Sequence, residues 1–299
     1  KEEKLEGGNM IAVLMSGAVG ALAYTFSDSF WFSAAEGEVY AMSSFFTAIV
    51  FWAILKWEDS IGDTEEGTGK NHGHRWLILI AYLVGLSIGV HLLNLLAIPA
   101  ITLVYYFKKK QASVKGFIFV SVLSILILAT VMYIIVPYTV KIAGSFERLF
   151  VNGMGLPFHS GTIVYFIIML SIVGFGLFIT HKRRKLILNT IILSFTFIMI
   201  GYSSFFVLVV RSNANTPIDE NNPEDAISLL AYLNREQYGD WPLFHGQYFN
   251  APVVGIKDKK PLYTKSYAVV DKDRLKSTSK LTLGDRGLIR IFNYKKDAQ

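Results

Sequence analysis

The run from Trp76 to Phe107, WLILIAYLVGLSIGVHLLNLLAIPAITLVYYF, carries no acidic or basic side chain except His91. It is 32 residues long. One helical crossing of a bilayer core needs only about 20 apolar residues. The middle of the run holds Gly85, Gly89, His91, Asn94 and Pro99. Glycine and proline weaken a helix, and His and Asn offer polar partners to the backbone that a broken helix frees. The run therefore reads as two short helices meeting near His91, a broken membrane hairpin.

The rest of the first 210 residues agrees. Apolar spans are expected at roughly 10–26, 34–57, 114–137, 160–180 and 186–210. With the hairpin this makes about seven membrane elements. The first is followed at once by another span, without a small-residue cleavage pattern, and reads as a retained span. Across all 299 residues, 52% are hydrophobic and 17% charged, with a mean hydropathy of +0.40. Ordinary soluble domains carry nearer a quarter charged residues, and disorder needs low hydrophobicity. There is no cysteine, which excludes a disulfide scaffold and Cys-ligated metal centres.

Composition changes near Arg211. Residues 1–210 hold 15 Lys+Arg and 12 Asp+Glu, whereas 211–299 hold 14 and 11 in 89 positions. The expected fold is mainly α: a polytopic membrane region over 1–210 and a small α+β segment over 211–299. In the tail, Asn222-Pro-Glu-Asp225 reads as a helix start, with Asn as cap and Pro at the first position. Gly239 reads as the stop. Tyr267-Ala-Val-Val270 and Leu288-Ile-Arg-Ile-Phe292 read as short strands.

Basic loops orient the chain. Lys108, Lys109, Lys110 and Lys115 form one connection, and Lys182, Arg183, Arg184 and Lys185 another. The excess of Lys and Arg marks both as cytoplasmic. The N-terminus and loop 57–75 then share that side. One outer face gathers Asp28–Glu38, the His91 region, loop 138–159 and the tail. The net charge of +6 is explained by these loops, without nucleic acid.

Four groups of polar residues stand out. Asp28, Glu36 and Glu38 lie among Trp31, Phe32 and Tyr40 at the outer boundary. Intramembrane ionisable groups usually face a cavity or a partner. Glu38 and its neighbour Tyr40 are read as part of a polar pocket. Asp28 and Glu36 also suit helix capping and interfacial water. His91 and Asn94 either contact a ligand or satisfy backbone at the break. Loop 138–159 reads as an interfacial helix, in which Arg148 either forks onto a phosphate or meets lipid headgroups. His72 and His74 fall on the cytoplasmic side, and no metal site is expected. No Walker loop, dinucleotide fingerprint, nucleophile elbow or His-Glu-x-x-His is present.

The run Ser29-Phe-Trp through Glu38-Val-Tyr40, the break Gly85-Leu-Ser-Ile-Gly-Val-His91, and above all Asn234-Arg-Glu-Gln-Tyr-Gly-Asp240 with Pro242-Leu-Phe-His-Gly246 resemble a family of multispan proteins from Bacteroidota. This family is grouped with protein O-mannosyltransferase-like enzymes of the GT-C type and includes a eukaryotic transmembrane relative. The resemblance covers about residues 10–255. It implies a GT-C-like glycosyltransferase of the inner membrane, with 211–299 on the periplasmic side. Such an enzyme takes a sugar, mannose in the first instance, from a polyprenyl-phosphate carrier. It passes the sugar to Ser or Thr of an exported protein, without a bound cofactor. On this reading Asp28 and Glu38 are the catalytic candidates. Tyr40, His91, Asn94, Arg148, Arg235 and Tyr238 are the substrate-binding candidates. The acidic Asp-Ser-Gly-Glu type motif of an earlier external loop, which such enzymes use as general base, is not in this sequence. The expectation is an incomplete piece with Asp28 as substitute. The rival expectations are a non-catalytic membrane subunit of an envelope or secretion complex, with membrane-complex partners, and, third, a transporter.

Overall fold

The computed structural model describes residues 7–62 and 73–238, then 246, 248, 250, 252–258, 262–266, 287–291 and 294–298. The chain is a mainly α, multi-pass membrane protein. Among the described residues, five helical stretches are long and apolar enough to cross a bilayer: Gly8–Thr25, Val39–Ser60, Val114–Gly153, Ser160–Lys182 and Leu186–Asn213. Gly73–Ile88 and Leu92–Lys108 are shorter apolar helices. The expected spans coincide with these seven to within a few residues, apart from the third, which continues well past 137.

The chain divides into two compact units, Lys1–Ser124 with Leu193–Ser203, and Ile125–Ile192 with Ser204–Gln299. In the first, α1 (Gly8–Thr25) and the short α2 (Asp28–Ala35) precede α3 (Val39–Gly62). A span beginning at 34 is therefore too early. Gly37, at φ 71, turns the chain between α2 and α3. Next come α4 (Gly73–Ile88), a 3-10 turn (Leu92–Leu96) and α5 (Ala97–Lys109). Pro99 sits in the first turn of α5, where a missing N–H breaks no helical bond.

Contacts along α3 prove the hairpin. Trp52 meets Trp76 edge-on at 5.4 Å, and Tyr40 meets His91 at 5.9 Å. Trp57 then stacks on Tyr105 at 5.6 Å. So α4 climbs from the C-terminal half of α3 to its N-terminal end, and α5 returns. The tip of the hairpin lies beside the start of α3. At the other end Lys108 pairs with Glu58 at 3.4 Å, an exposed pair worth little on its own. The core between these helices is Val50, Ala53, Ile54 and Trp57 of α3 with Ile80, Val84, Ile88 and Leu95. The three- and four-residue spacing puts the α3 set on one helix face and Ile80, Val84 and Ile88 on one face of α4, with Leu95 added from the 3-10 turn.

Gly85 does not interrupt the run. It lies inside α4, where a Cβ would stand 2.3 Å from the Ile198 carbonyl oxygen. Its counterpart Gly201 would meet the Leu86 nitrogen at 2.4 Å. Glycine at this position is selected by close helix packing, the usual glue between helices in lipid. The break comes later, at Gly89–His91.

Loop 138–159, which lies in the second unit, is mostly helix. The helix α6 (Val114–Thr130) passes through a π turn (Val131–Ile135) into α7 (Val136–Arg148) and a second π turn (Leu149–Gly153). Pro137 does not stop it, because it falls at the start of α7. Then follow α8 (Ser160–Lys182), α9 (Leu186–Tyr202), α10 (Phe206–Asn213) and α11 (Ala226–Leu233). The α7 face Val136, Thr139, Val140, Ala143, Gly144 and Glu147 is buried, against α8 and α11.

The tail helix starts three residues after the expected cap. Asp225, not Asn222, is the N-cap: its Oδ1 accepts from the Ile227 and Ser228 amides at 2.9 Å each, and Ser228 Oγ accepts from the Asp225 amide. Asn222 instead accepts from the Ser212 hydroxyl. Asp225→Ala is expected to cost about 1 kcal/mol. A reduction in melting temperature with unchanged helix content at low temperature would register it; an unaltered melt would refute the cap. The helix ends at Leu233, with Asn234 as C-cap and Arg235 left-handed at φ 54. Gly239, the expected stop, lies outside the described residues, as does Tyr267–Val270. Strands β1 (Val253–Asp258) and β4 (Tyr294–Ala298) pair antiparallel, as do β2 (Leu262–Ser266) and β3 (Gly287–Ile291). The second expected strand falls on β3.

Candidate functional site

The hairpin tip and the start of α3 form one end of the first unit. Tyr40, Ser43 and Thr47 lie three and seven residues apart, on one face of α3. That face meets His91 and Asn94. The imidazole ring of His91 lies 5.9 Å from the Tyr40 ring, tilted by 44°. Glu38 immediately precedes α3 and is exposed. Three of the expected residues, Tyr40, His91 and Asn94, are thus brought together, and Glu38 is two residues from Tyr40.

His91 is held by its own backbone. It caps the 3-10 turn, its Nδ1 accepting from the Leu93 amide at 3.1 Å. A neutral imidazole has one acceptor and one donor nitrogen. With Nδ1 committed as acceptor, the proton resides on Nε2, and the ring offers a donor there. Of the two sequence readings, the structure shows the backbone one: His91 satisfies the freed Leu93 amide through Nδ1.

Asn94 is 4% exposed. Its Oδ1 accepts from Thr47 Oγ1 at 2.5 Å and lies 3.4 Å from Ser43 Oγ. Its Nδ2 is buried without a hydrogen-bond partner among the described residues. Turning the amide over changes which atom is orphaned, not the number. Thr47 also lies 3.0 Å from the Ser43 carbonyl, and its single hydroxyl hydrogen serves only one of the two acceptors. A half-satisfied buried amide costs about 1–3 kcal/mol.

Asp28 is the exposed first residue of α2, behind Ser27 at the cap. Arg148 is the exposed last residue of α7, in the second unit. Also there, the Arg235 guanidinium lies over the Tyr238 ring at 4.9 Å, both residues being exposed. Among the described residues no group of three or more His, Cys, Asp or Glu is placed to hold a metal ion.

Sequence reasoning passed over Ser43 and Thr47, small hydroxyls inside an apolar span. It also left Glu147 without a role. That side chain is 2% exposed. Its Oε1 accepts from the His159 amide, and its Oε2 accepts from the Thr162 amide and hydroxyl at 3.0 Å each. A carboxylate of α7 therefore caps the N-terminus of α8. Both oxygens are committed, which marks Glu147 as architecture. The available signal was its place three residues after Gly144 on the apolar face of an amphipathic segment.

Residues 1–114 match the family model for the N-terminal domain of protein O-mannosyl-transferase TMEM260. The matched portion contains Glu38, Tyr40, His91 and Asn94, and the match supports an O-mannosyltransferase-like family. No curated protein and no solved structure matches the chain.

Proposed function

We propose that the protein is a membrane glycosyltransferase that moves mannose from a polyprenyl-phosphate carrier to Ser or Thr hydroxyls of exported proteins. The observation that carries this reading is the meeting of Tyr40, His91 and Asn94 at the hairpin tip beside Glu38, inside the portion matched to the O-mannosyl-transferase model. On this reading the membrane region over 1–210 is GT-C-like. It lies in an inner membrane, with 211–299 on the periplasmic side, where exported acceptors pass.

The transfer breaks the bond between the sugar C1 and the carrier phosphate oxygen and forms one between C1 and the acceptor oxygen. The acceptor proton goes to a carboxylate, and the lipid phosphate leaves with the bonding electrons. Glu38 is the favoured carboxylate, with Asp28 as second candidate. A positioned base of this kind contributes typically 10²–10⁴-fold. His91 donates from Nε2 to the departing phosphate, whose charge grows as the bond breaks. Preorganised donors aimed at developing charge are worth about 10²–10³-fold each. Tyr40 packs against the imidazole and keeps it in place. The exposed Arg235–Tyr238 pair suits a contact to the acceptor chain or the sugar.

The test uses the full chain in nanodiscs with polyprenyl-phosphate mannose and a Ser/Thr-containing acceptor protein. Glu38→Gln is expected to lower turnover by at least about 10²-fold. His91→Ala is expected to do the same, with the melting temperature as a check on folding. Parental turnover in both variants would remove the site assignment. Sugar appearing on lipid and not on protein would replace the acceptor class. No transfer from any lipid-linked donor would favour the non-catalytic subunit.

A further inference from the structure

The turn between α8 and α9 gathers four cations in succession, Lys182, Arg183, Arg184 and Lys185. All four are exposed. Among the described residues no carboxylate pairs with any of them, and the sequence holds no acid between Glu147 and Asp219. Like charges held this close repel one another. The turn is nevertheless well fixed. The Arg183, Arg184 and Lys185 amides donate to the Ile179, His181 and Thr180 carbonyls at 2.9, 3.0 and 3.0 Å. Thr180 is 3% exposed, and its Oγ1 accepts from Asn189 Nδ2 at 2.9 Å, which ties the first turn of α9 to the last turn of α8. One residue suits this turn poorly. Arg184 is left-handed at φ 52, one place beyond the C-cap Arg183. Glycine is the usual residue there, because a side chain is strained in that conformation. An arginine at this place gives up stability and keeps a charge.

The length of α8 sets the depth of the turn. Its 23 residues extend about 34 Å at 1.5 Å per residue, slightly more than the hydrocarbon thickness of about 30 Å. The last turn of a spanning α8 therefore stands at the bilayer surface. Phe178 marks the level: its ring is exposed, and Lys182 Nζ lies 5.9 Å from the ring centre. Leu186 and Ile187 are exposed just beyond the turn. Apolar groups at this depth face acyl chains, while long cationic side chains reach outward from them to the headgroup layer.

We infer that the α8–α9 turn is a binding site for anionic phospholipid, with Lys182, Arg183, Arg184 and Lys185 on the headgroups and Phe178, Leu186 and Ile187 among the acyl chains. Charge and depth together select this occupant. A zwitterionic lipid offers each cation a phosphate but leaves the net charge of the turn unbalanced, whereas an anionic lipid neutralises it. Clusters of four or more Lys and Arg beside a membrane span bind anionic lipid in this way. An acidic protein would first have to displace the headgroups that surround the turn. This inference stands whether or not the chain transfers sugar.

The chain has no cysteine, so His181→Cys places a single fluorophore beside the turn and leaves all four cations in place. The full chain is reconstituted in phosphatidylcholine nanodiscs containing about 30% phosphatidylglycerol, with a headgroup quencher on one lipid or the other. Per molecule of lipid, quenching through phosphatidylglycerol is expected to exceed that through phosphatidylcholine by at least about fivefold, the gain for one cation at the surface. Arg184→Gly with Lys185→Gln is expected to lower this preference at least about threefold. Arg184→Gly alone separates charge from fold. In neutral detergent without lipid it is expected to melt above the parent, because glycine suits the turn, while its preference for phosphatidylglycerol falls. Lys182→Arg, Arg183→Lys, Arg184→Lys and Lys185→Arg together keep the charge and are expected to retain the preference. Equal quenching by both lipids in the parent would overturn the inference, as would an undiminished preference after Arg184→Gly with Lys185→Gln. Full access of the label to aqueous iodide with no quenching by lipid would take the turn away from headgroups and overturn it as well. Loss of the phosphatidylglycerol signal on adding inorganic phosphate or polyglutamate would assign the turn to a soluble phosphate compound or an acidic protein instead, and overturn it too.

Discussion

Glu147→Ala is expected to destabilise the protein by about 2–6 kcal/mol, about 1–3 kcal/mol for each of the two amides it leaves buried without an acceptor. The side chain is 2% exposed and serves three donors at the N-terminus of α8. The first N–H groups of a helix have no partner within it. In water they would turn to solvent; here they face the end of α7. Removing the carboxylate leaves the His159 and Thr162 amides without an acceptor and opens a cavity beside them. Compensation by movement is blocked on the same side. A Cβ on Gly161 would stand 2.3 Å from the Phe146 carbonyl oxygen, so the two helices already touch backbone to backbone.

The conservative variant sharpens the test. Glu147→Gln keeps the shape and one acceptor oxygen but presents an NH2 to a backbone N–H. It is expected to fall between parent and alanine, at about 1–3 kcal/mol. Thermal unfolding in nanodiscs, ranked parent above Gln above Ala, is the expected result. An alanine variant that melts with the parent would mean that α8 does not depend on this cap. A glutamine variant as damaging as alanine would point to charge, not hydrogen-bond count, as the dominant contribution.

The architecture of the first unit was readable because lipid imposes harsh rules on sequence. A span must be apolar for about 20 residues, and an overlong run with His91 and Asn94 at its centre has few alternatives to a bent pair of helices. Tyr40, His91 and Asn94 were singled out one by one, but their meeting depends on how the hairpin folds back along α3. What stayed hidden depended on neighbours distant in sequence. Gly85 looked like a helix breaker because its partner, Ile198, lies more than a hundred residues on. The third span was ended at 137 because the π turn that carries the helix on into α7 cannot be anticipated from composition. Ser43 and Thr47 were silent because hydroxyls in apolar helices usually bond their own backbone. Glu147 and Arg148 are adjacent and equally charged in magnitude. Only the packing of α7 decides that the acid turns inward and the base outward. The tail helix was found but started three residues late, because Asp225 and Ser228 cap each other reciprocally and outcompete Asn222.

Gly85→Ala and Gly201→Ala carry the second large effect, and theirs reaches the proposed site. Each added methyl would overlap main chain, not a movable side chain. At Gly85 it meets the Ile198 carbonyl oxygen at 2.3 Å, and at Gly201 the Leu86 nitrogen at 2.4 Å and the Tyr82 carbonyl oxygen at 2.6 Å. Both contacts belong to one crossing of α4 over α9, so α4 and α9 must separate. Overpacking of this kind costs typically 1–3 kcal/mol, and more when backbone must move. The two changes share one contact and are expected to be less than additive, because the first separation makes room for the second. Gly85 lies one turn before the break, and α4 leads straight into His91. A displaced α4 therefore shifts the imidazole against Tyr40, and turnover in the transfer assay is expected to fall by more than the loss of folded protein accounts for. The measurement is paired: melting temperature and turnover per folded molecule, for each single variant and the double. A stable Gly85→Ala protein with parental turnover would mean that the close approach at Ile198 does not hold the hairpin. An unstable one with parental turnover per folded molecule would mean that the position of the tip is set by α3 alone, through Thr47 and Asn94.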